Sequence, residues 1–216
     1  MKEIFPGVFT DGRKVFTINA VPGRSVYGEK LIRQGSTEFR EWDPFRSKLC
    51  GAIRKGLKTF PFGKDGKVLY LGASTGTTIS HLSDIMYEGE IYGIEVSPLM
   101  GERLMELAEK RANIIPVIAD ARHVSEYAEI PEVDAVYQDV AQPDQDRILI
   151  MNAKKFLKKN GIAMLCVKSQ SIDVTMDPKK VFAIVEKNLS NDFEIIERFY
   201  LEPYDKEHEF LVLKLK

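Results

Sequence analysis

Three carboxylates and a lysine are the residues of this sequence best placed to do chemistry. Glu95 ends an apolar run, Asp120 and Asp139 each follow another, and Lys168 ends a further one. If these runs are strands of one parallel sheet, the four side chains meet at its carboxyl edge, where open α/β sheets bind ligands. An acid and a lysine paired there could handle a proton. The simpler alternatives are a helix cap at Asp139 and a solvated strand end at Lys168.

A glycine-containing turn in Val68–Thr78 joins an apolar run to a helical pattern. Gly72 and Gly76 lack Cβ atoms where a backbone must approach a ligand, and the following helix begins with unpaired N–H groups. Glu95 comes nineteen residues after Gly76, a spacing that suits an acid bound to a ribose diol. The dinucleotide-binding fingerprint is broken, because its middle glycine falls at Ser74. We therefore expect a nucleotide-like ligand, of which NAD is one candidate.

Histidines and cysteines add one further candidate. His208 opens the last apolar run, whereas His81 and His123 are weaker candidates, since isolated histidines more often pack or face solvent. Cys50 and Cys166 are the only cysteines, and neither has the spacing of a metal ligand. We expect no metal site and, from the cysteine usage, a reduced cytoplasmic setting. No run of about 20 apolar residues is present, so insertion into a membrane is not expected.

Charge is nearly balanced over the chain but unevenly distributed. The net charge is −1, yet Met1–Phe60 carries twelve lysines and arginines against six acidic residues, which leaves −7 on the remainder. This basic end could face a polyanion, and a solvated surface is the simpler alternative.

The sequence after Lys67 alternates between strand and helix patterns, which predicts a mostly parallel sheet with helices on both faces. The expected strands are 67–71, 90–95, 114–118, 133–138, 161–167, 194–201 and 208–215. The expected helices are 76–86, 98–111, 143–158 and 179–190. The last two strands are separated by too few residues for a crossover helix, so they must form an antiparallel hairpin.

The sequence before Lys67 has a different character. Phe5–Arg40 is rich in β-formers, and Asp11-Gly12 is typical of a hairpin turn. Apolar spacing in Phe45–Lys58 predicts a helix with Asp43 as its N-cap and Pro44 at its first position.

The predicted elements together indicate the α/β fold of class I S-adenosylmethionine-dependent methyltransferases. In that fold a Rossmann-like seven-stranded sheet has an antiparallel last strand, which suits the predicted hairpin better than the six-stranded dinucleotide fold does. We expect two domains, a small N-terminal β-sheet domain over residues 1–42 and a class I methyltransferase domain over residues 43–216.

Four specific strings resemble those of archaeal fibrillarins, the RNA 2′-O-methyltransferases of box C/D ribonucleoproteins. They are Tyr27–Lys30, Trp42–Leu49, Tyr70–Thr78 and Asp139–Gln145. Shorter matching pieces are Asn113–Pro116, Ala119–Arg122, Ser171–Asp173 and Leu201–Tyr204. The resemblance runs from Tyr27 to the C-terminus in family order.

The resemblance implies S-adenosylmethionine as cofactor and specific residues that bind it. These are Gly72, Ala73, Gly76, Thr77, Thr78, Glu95, Val96, Asp120, Ala121, Asp139, Val140, Ala141 and Gln142. It also implies a catalytic set of Lys48, Asp139, Lys168 and His208, in which our hypothesis is that Lys168 is the base or proton relay. Many methyltransferases have an acid two residues before the first glycine to hold the cofactor's ammonium. Here that residue is Tyr70, so Asp139 and nearby carbonyls would have to replace it.

The resemblance further implies partners and a substrate. It indicates a box C/D guide RNA, a target rRNA or tRNA, a Nop-family scaffold protein and a kink-turn-binding ribosomal-type protein. A protein that finds RNA unaided usually has a stronger basic footprint, so RNA contacts would be shared with these partners. The alternatives are an NAD-binding oxidoreductase, a noncatalytic ribonucleoprotein subunit, and a methyltransferase acting on protein or a small molecule.

Overall fold

A five-stranded antiparallel sheet forms the N-terminal part of the molecule. The computed structural model describes residues 1–216. The five strands are β1 (Lys2–Phe5), β2 (Val8–Thr10), β3 (Val15–Ile18), β4 (Leu31–Gln34) and β5 (Thr37–Trp42), in the order β1-β2-β3-β5-β4. The Asp11-Gly12 hairpin between β2 and β3 is confirmed, and the Asp11 carboxylate accepts hydrogen bonds from the backbone N–H groups of Arg13 and Lys14.

A seven-stranded sheet with helices on both faces forms the rest. Its strands are β6 (Lys67–Leu71), β7 (Glu90–Glu95), β8 (Ile114–Ile118), β9 (Val133–Gln138), β10 (Leu157–Lys168), β11 (Phe193–Tyr200) and β12 (His208–Leu215). The helices are α1 (Lys48–Arg54), α2 (Thr77–Ile85), α3 (Pro98–Ala108), α4 (Gln145–Phe156), α5 (Ser169–Ile172) and α6 (Pro178–Leu189), with a 3₁₀ turn at Val124–Tyr127. None of these helices has the length and hydropathy needed to cross a bilayer.

The order of this sheet is β11-β12-β10-β9-β6-β7-β8, and β12 is antiparallel to both of its neighbours. The predicted terminal hairpin and the class I fold are therefore confirmed. Because β12 lies between β10 and β11, its first residue, His208, is opposite Lys168 in register. This insertion brings the first residues of β12 to the carboxyl edge of the parallel strands.

One predicted helix start is wrong. The helix α1 begins at Lys48 with Ser47 as its N-cap, not at Pro44 with Asp43 as the cap. Asp43 instead forms a turn, in which its carboxylate accepts from the Phe45 N–H at 2.9 Å and its carbonyl from the Arg46 N–H at 3.1 Å. Phe45, expected on the buried face, is consequently 65% exposed.

The strand β10, which ends at Lys168, is longer than the expected 161–167. The helix α4 ends at Phe156 and β10 begins at Leu157, but the pairing with β9 is irregular between Leu157 and Ile162. Asn160 has a left-handed φ of 63° in this irregular part. The apolar pattern detected only the regular, buried end of the strand.

The core consists of two layers, one on each face of the seven-stranded sheet. One layer packs α1, α2 and the small sheet against it, through residues such as Trp42, Leu49 and Leu82. The other packs α4 and α6, through residues such as Leu149 and Val185. The carboxyl ends of the parallel strands are thus held rigidly from both sides.

Candidate active site

A cavity of about 250 Å³ lies at the carboxyl ends of β6, β7, β8 and β9. The structure brings together here nine of the predicted cofactor-binding residues: Gly72, Glu95, Val96, Asp120, Ala121, Asp139, Val140, Ala141 and Gln142. Lys168 and the apolar side chains of Ile94 and Ile148 also line it. The three acids that end successive strands therefore share one pocket with the lysine.

Gly72 is needed where two strand ends approach each other. Its φ is 80°, and a Cβ atom there would lie 3.0 Å from the carbonyl oxygen of Asp139. A side chain would push the turn and the β9 end apart. The sequence pattern indicated an approach of backbone to ligand, whereas the close approach is between two parts of the cavity wall.

Glu95 has its carboxylate fixed by backbone N–H groups. One oxygen accepts from the Ser74 N–H at 2.7 Å, and the other accepts from the Ser97 N–H at 2.9 Å. The residue is only 8% exposed. Since each carboxylate oxygen can accept a second hydrogen bond, this arrangement can hold the two hydroxyls of a ribose.

Asp120 is paired with Arg122 in the loop after β8. The guanidinium donates to both carboxylate oxygens, with a shortest distance of 2.6 Å. This hydrogen bonding lowers the pKa of Asp120 below its ordinary value. Asp120 therefore stays ionised and retains lone pairs that can accept from an amino group.

Four predicted cofactor residues of the turn do not line the cavity: Ala73, Gly76, Thr77 and Thr78. Ala73 is buried, and Gly76 is the N-cap of α2 with a left-handed φ of 96°. The Thr78 hydroxyl donates to the Ser47 hydroxyl at 2.9 Å, which ties the turn to the start of α1. Thr77 faces a second groove, described below.

Tyr70, which replaces the acid of other methyltransferases, lies in the core. It is 2% exposed, and its ring centroid is 4.7 Å from that of Tyr137. Tyr70 therefore packs the sheet and offers nothing to a cofactor's ammonium.

Asp139 lies between two ammonium groups at the rim of the cavity. Its Oδ1 is 2.8 Å from Lys168 Nζ and 3.3 Å from Lys48 Nζ. Lys168 also donates to the main-chain carbonyl of Asp139 at 2.7 Å. The helix α4 begins only at Gln145, so the helix-cap alternative for Asp139 is wrong.

Lys48 is held as a cation. Burial lowers its pKa, but the nearby carboxylates, first Asp139 and then Asp205, raise it by more, so the pKa lies well above the ordinary lysine value. Lys48 therefore supplies a permanent positive charge and cannot act as a base near neutral pH.

His208 lies beside Asp205, at 2.9 Å from Nδ1 to Oδ1, and Asp205 Oδ2 lies 3.4 Å from Lys48 Nζ. Sequence reasoning did not single out Asp205. The available signal was an acid three residues before His208, directly after the string Leu201–Tyr204.

The ion pairs described above form one cluster of Lys48, Asp139, Lys168, Asp205 and His208. The other two histidines lie away from this cluster. His81 is fully buried, where its ring nitrogens bond Thr17 and Tyr27 at 2.8 and 2.7 Å and its ring stacks on Trp42. His123 pairs with Glu126 on the surface. The role of His81 is to join the small sheet to α2.

A second, larger groove of about 550 Å³ lies on the other side of the turn. Its basic lining residues are Arg24, Arg46, Arg103, Lys110 and Arg111. The acid Glu106 also lines it and pairs with Arg103 at 3.1 Å. Arg46 is two residues before Lys48, which contacts Asp139 and Asp205. We call it the basic groove.

The whole chain, residues 1–216, matches the family model described as Fibrillarin. The chain belongs to the fibrillarin family. The fibrillarin-like rRNA/tRNA 2′-O-methyltransferase of Pyrococcus furiosus is 51% identical over 220 residues, which cover 99% of this chain and 97% of that protein.

Two solved fibrillarin structures are close in fold. The fibrillarin of Aeropyrum pernix, solved with natively bound S-adenosyl-L-methionine, has a TM-score of 0.88 at 40% identity and covers 96% of this chain and 94% of its own. A fibrillarin in complex with Nop5p has a TM-score of 0.92 at 42% identity, with full coverage of both chains.

The fibrillarin strings divide into structural and site-forming residues. In Tyr27–Lys30, the Glu29 carboxylate accepts from Arg40 Nε at 2.6 Å, and both side chains are buried. Trp42–Leu49 includes Lys48, and Asp139–Gln145 provides the cavity wall. The string Tyr27–Lys30 therefore holds the N-terminal part together, while Trp42–Leu49 and Asp139–Gln145 reach the site.

Proposed function

We propose that this fibrillarin-family chain transfers a methyl group from S-adenosylmethionine to the 2′-hydroxyl of ribose in rRNA and tRNA. The observation that carries the proposal is the position of Lys168, which lines the cavity and pairs with Asp139 at its rim. The activity named for its 51%-identical relative supports RNA ribose as the acceptor.

The residues of the cavity fit S-adenosylmethionine. Gly72 keeps the turn close to Asp139, Glu95 presents two fixed oxygens to a ribose diol, and Asp120 can accept from the adenine amino group. The apolar lining suits an adenine ring. Of the residues implied by the resemblance, we assign cofactor contact to the nine that line the cavity.

The reaction needs a methyl donor in line with the attacking oxygen, and an acceptor for the hydroxyl proton. When bound, S-adenosylmethionine supplies a methyl group on a positively charged sulfur. Lys168 takes or relays the proton, and Asp139 orients it through contacts of 2.8 Å or less. Lys48 remains an ammonium that stabilises negative charge on the ribose oxygen as the proton leaves. His208 completes the cluster from β12.

The basic groove supports a polyanionic substrate. Arg24, Arg46 and Lys110 line the groove together with Thr75 and Thr77 of the turn, and Arg46 is two residues before Lys48. Phosphate contacts by such side chains position RNA without reading its sequence. The net charge of the whole chain is only −1, which agrees with RNA contacts that are shared with partners.

We propose that the chain works in a ribonucleoprotein with a box C/D guide RNA, a Nop-family scaffold protein and a kink-turn-binding ribosomal-type protein. The Nop5p complex of a relative supports the scaffold partner. The guide would choose the target by base pairing, and we place the assembly in the cytoplasm. Both cysteines are free and buried, which suits that reducing compartment.

Reconstitution tests this function. The chain is combined with a guide RNA, the two partner proteins and a target strand, and methylation at the guided ribose is scored by its resistance to alkaline cleavage. We expect methylation that requires both the guide and the cofactor. Lys168→Ala should reduce the rate at least a hundredfold with cofactor binding retained, and Asp139→Ala should reduce it at least as much, because Asp139 also lines the cavity. Full activity of both variants would refute the assignment of these residues.

Calorimetry separates the proposal from an NAD-binding oxidoreductase. The insertion of β12 already distinguishes this sheet from the all-parallel dinucleotide fold. We expect S-adenosylhomocysteine to bind and NAD not to bind. Tight binding of NAD alone would overturn the proposal, and cofactor binding without any methylation would favour a noncatalytic assembly subunit.

A further inference from the structure

Asp205 joins two proposed catalytic residues that do not otherwise touch. Its two oxygens contact Lys48 Nζ at 3.4 Å and His208 Nδ1 at 2.9 Å. Asp139 joins Lys48 to Lys168 in the same way. The result is a continuous row in which basic groups alternate with carboxylates, in the order Lys168, Asp139, Lys48, Asp205 and His208.

The loop that carries Asp205 is held firmly against the rest of the site. Tyr204 packs on α1, where a Cβ atom on Gly51 would be only 3.6 Å from it, and meets the ring of Phe45 edge-on. The Ser169 hydroxyl donates to the Glu207 carbonyl at 2.9 Å. Asp205 is thus fixed from both sides of the loop.

The hydrogen bonds of His208 determine which ring nitrogen carries a proton. Nδ1 lies 2.6 Å from the carbonyl oxygen of Lys206, which can only accept. Nδ1 must therefore carry a hydrogen, which the Asp205 carboxylate also attracts. Nε2 remains as the nitrogen that can exchange a proton at the site.

Asp205 is ionised in this setting. Burial raises the pKa of its carboxyl, but the hydrogen bond that His208 Nδ1–H donates and the charge of Lys48 lower it by more. An ionised Asp205 also balances the charge of Lys48, so that Asp139 can keep its shorter contact with Lys168.

We propose that Asp205 is a positioning residue of the methyl transfer, which keeps His208 in its Nδ1–H form and draws part of the charge of Lys48 away from Asp139. This inference rests on the proposed function. It predicts that loss of the carboxylate slows the chemical step and leaves the cofactor site intact, because Asp205 does not line the cavity.

The test compares Asp205→Ala, Asp205→Asn and Asp205→Glu in the reconstituted ribonucleoprotein. We expect kcat to fall roughly 10- to 100-fold in the first two variants, which is part of the contribution of a general acid–base group, with KM for S-adenosylmethionine unchanged. Asp205→Glu should restore most of the rate. Glu202→Gln, which changes an exposed acid of the same loop, should match the parent.

A double-mutant cycle with His208→Ala separates positioning from a general structural role. If Asp205 acts largely through His208, Asp205→Ala should lower kcat much less in the His208→Ala background than in the parent. Equal losses in both backgrounds, or parent activity in all Asp205 variants, would overturn the inference while the proposed function stands. An inactive parent ribonucleoprotein would instead refute the proposed function, and this inference with it.

Discussion

At the scale of single residues, the site works by fixing charges before any ligand arrives. Backbone N–H groups fix the carboxylate of Glu95, and two ammonium groups fix that of Asp139. Groups already oriented in this way need little reorganisation during a reaction, which is the main source of electrostatic catalysis. We assign the two acids different roles, since Glu95 has two fixed oxygens that suit a ribose diol and Asp139 contacts Lys168.

Glu95→Gln should weaken cofactor binding without affecting the fold. The amide keeps one acceptor oxygen but places an NH₂ group where a backbone N–H or a hydroxyl needs an acceptor. We expect the Kd for S-adenosylhomocysteine to rise about tenfold or more, since hydrogen bonds to charged groups contribute roughly 1.5–3 kcal/mol. Calorimetry measures this, with Glu102→Gln on the exposed side of α3 as the control. An unchanged Kd would mean that Glu95 does not hold the ribose.

At the scale of elements, a buried ion-pair network joins the small sheet to α2 and α3. Asp84 of α2 contacts Arg40 of β5 at 2.7 Å and Arg111, after α3, at 2.6 Å, and these side chains are almost fully buried. Arg40 belongs to the basic N-terminal part of the sequence, so part of that charge excess is structural. The network fixes the loop bearing Arg24 and Tyr27 beside the turn.

Asp84→Ala should destabilise the protein by about 3–5 kcal/mol, because it leaves two guanidinium groups buried without their shared partner. Urea unfolding measures the loss. The control is Glu106→Ala, which breaks an exposed pair with Arg103 at 3.1 Å and should cost no more than about 1 kcal/mol. Similar losses in both variants would contradict the assignment of the network to the core.

The contact between β12 and α6 should make stability depend on pH. Burial, with the neighbouring Glu186 carboxylate, raises the pKa of Glu209 to about 8. The folded state thus retains a proton that the unfolded chain releases near pH 4.5, so stability should fall as pH rises through this window and level off above about pH 8. Glu209→Gln should flatten the Tm profile between these limits. A profile unchanged by the substitution would show that Glu209 is ionised in the folded protein.

At the scale of the whole molecule, the N-terminal part and the seven-stranded sheet contribute to two different binding surfaces. The carboxyl edge of the seven-stranded sheet provides the cavity, and the loop between β3 and β4 of the small sheet, with α2 and α3, borders the basic groove. The turn Gly72–Thr78 lies between them, with Gly72 on one side and Thr77 on the other. The surfaces that we propose for the methyl donor and for RNA therefore lie on different sides of this turn.

Substitution of the groove's basic residues should weaken RNA binding but not cofactor binding. We expect each of Arg24→Ala, Arg46→Ala and Lys110→Ala to weaken binding of the target strand to the assembled ribonucleoprotein. The slope of the logarithm of the binding constant against the logarithm of the salt concentration should become shallower by about one unit for each lost phosphate contact. Lys154→Ala on α4, which pairs with Asp192 on another face, is the control. Slopes equal to the parent's in all three variants would exclude the groove as an RNA path.

The sequence by itself determined the order of elements and the identity of the chemical groups. The apolar pattern predicted strands at 114–118, 133–138 and 208–215 with the same bounds as the structure, because the pattern of a strand is a local property of the sequence. The acids at strand ends were predicted to share a pocket because the carboxyl ends of parallel strands meet at one edge of a sheet.

Only the tertiary structure decided which of these groups touch. The helix begins at Lys48 and not at the predicted Pro44, because the Asp43 carboxylate accepts a hydrogen bond from Phe45 within a turn. The turn residue Thr78 bonded Ser47 of α1 rather than lining the cavity. Asp205 joined Lys48 to His208 because β12 inserts beside β10. Contacts between residues far apart in sequence depend on packing and strand insertion, which local spacing does not encode.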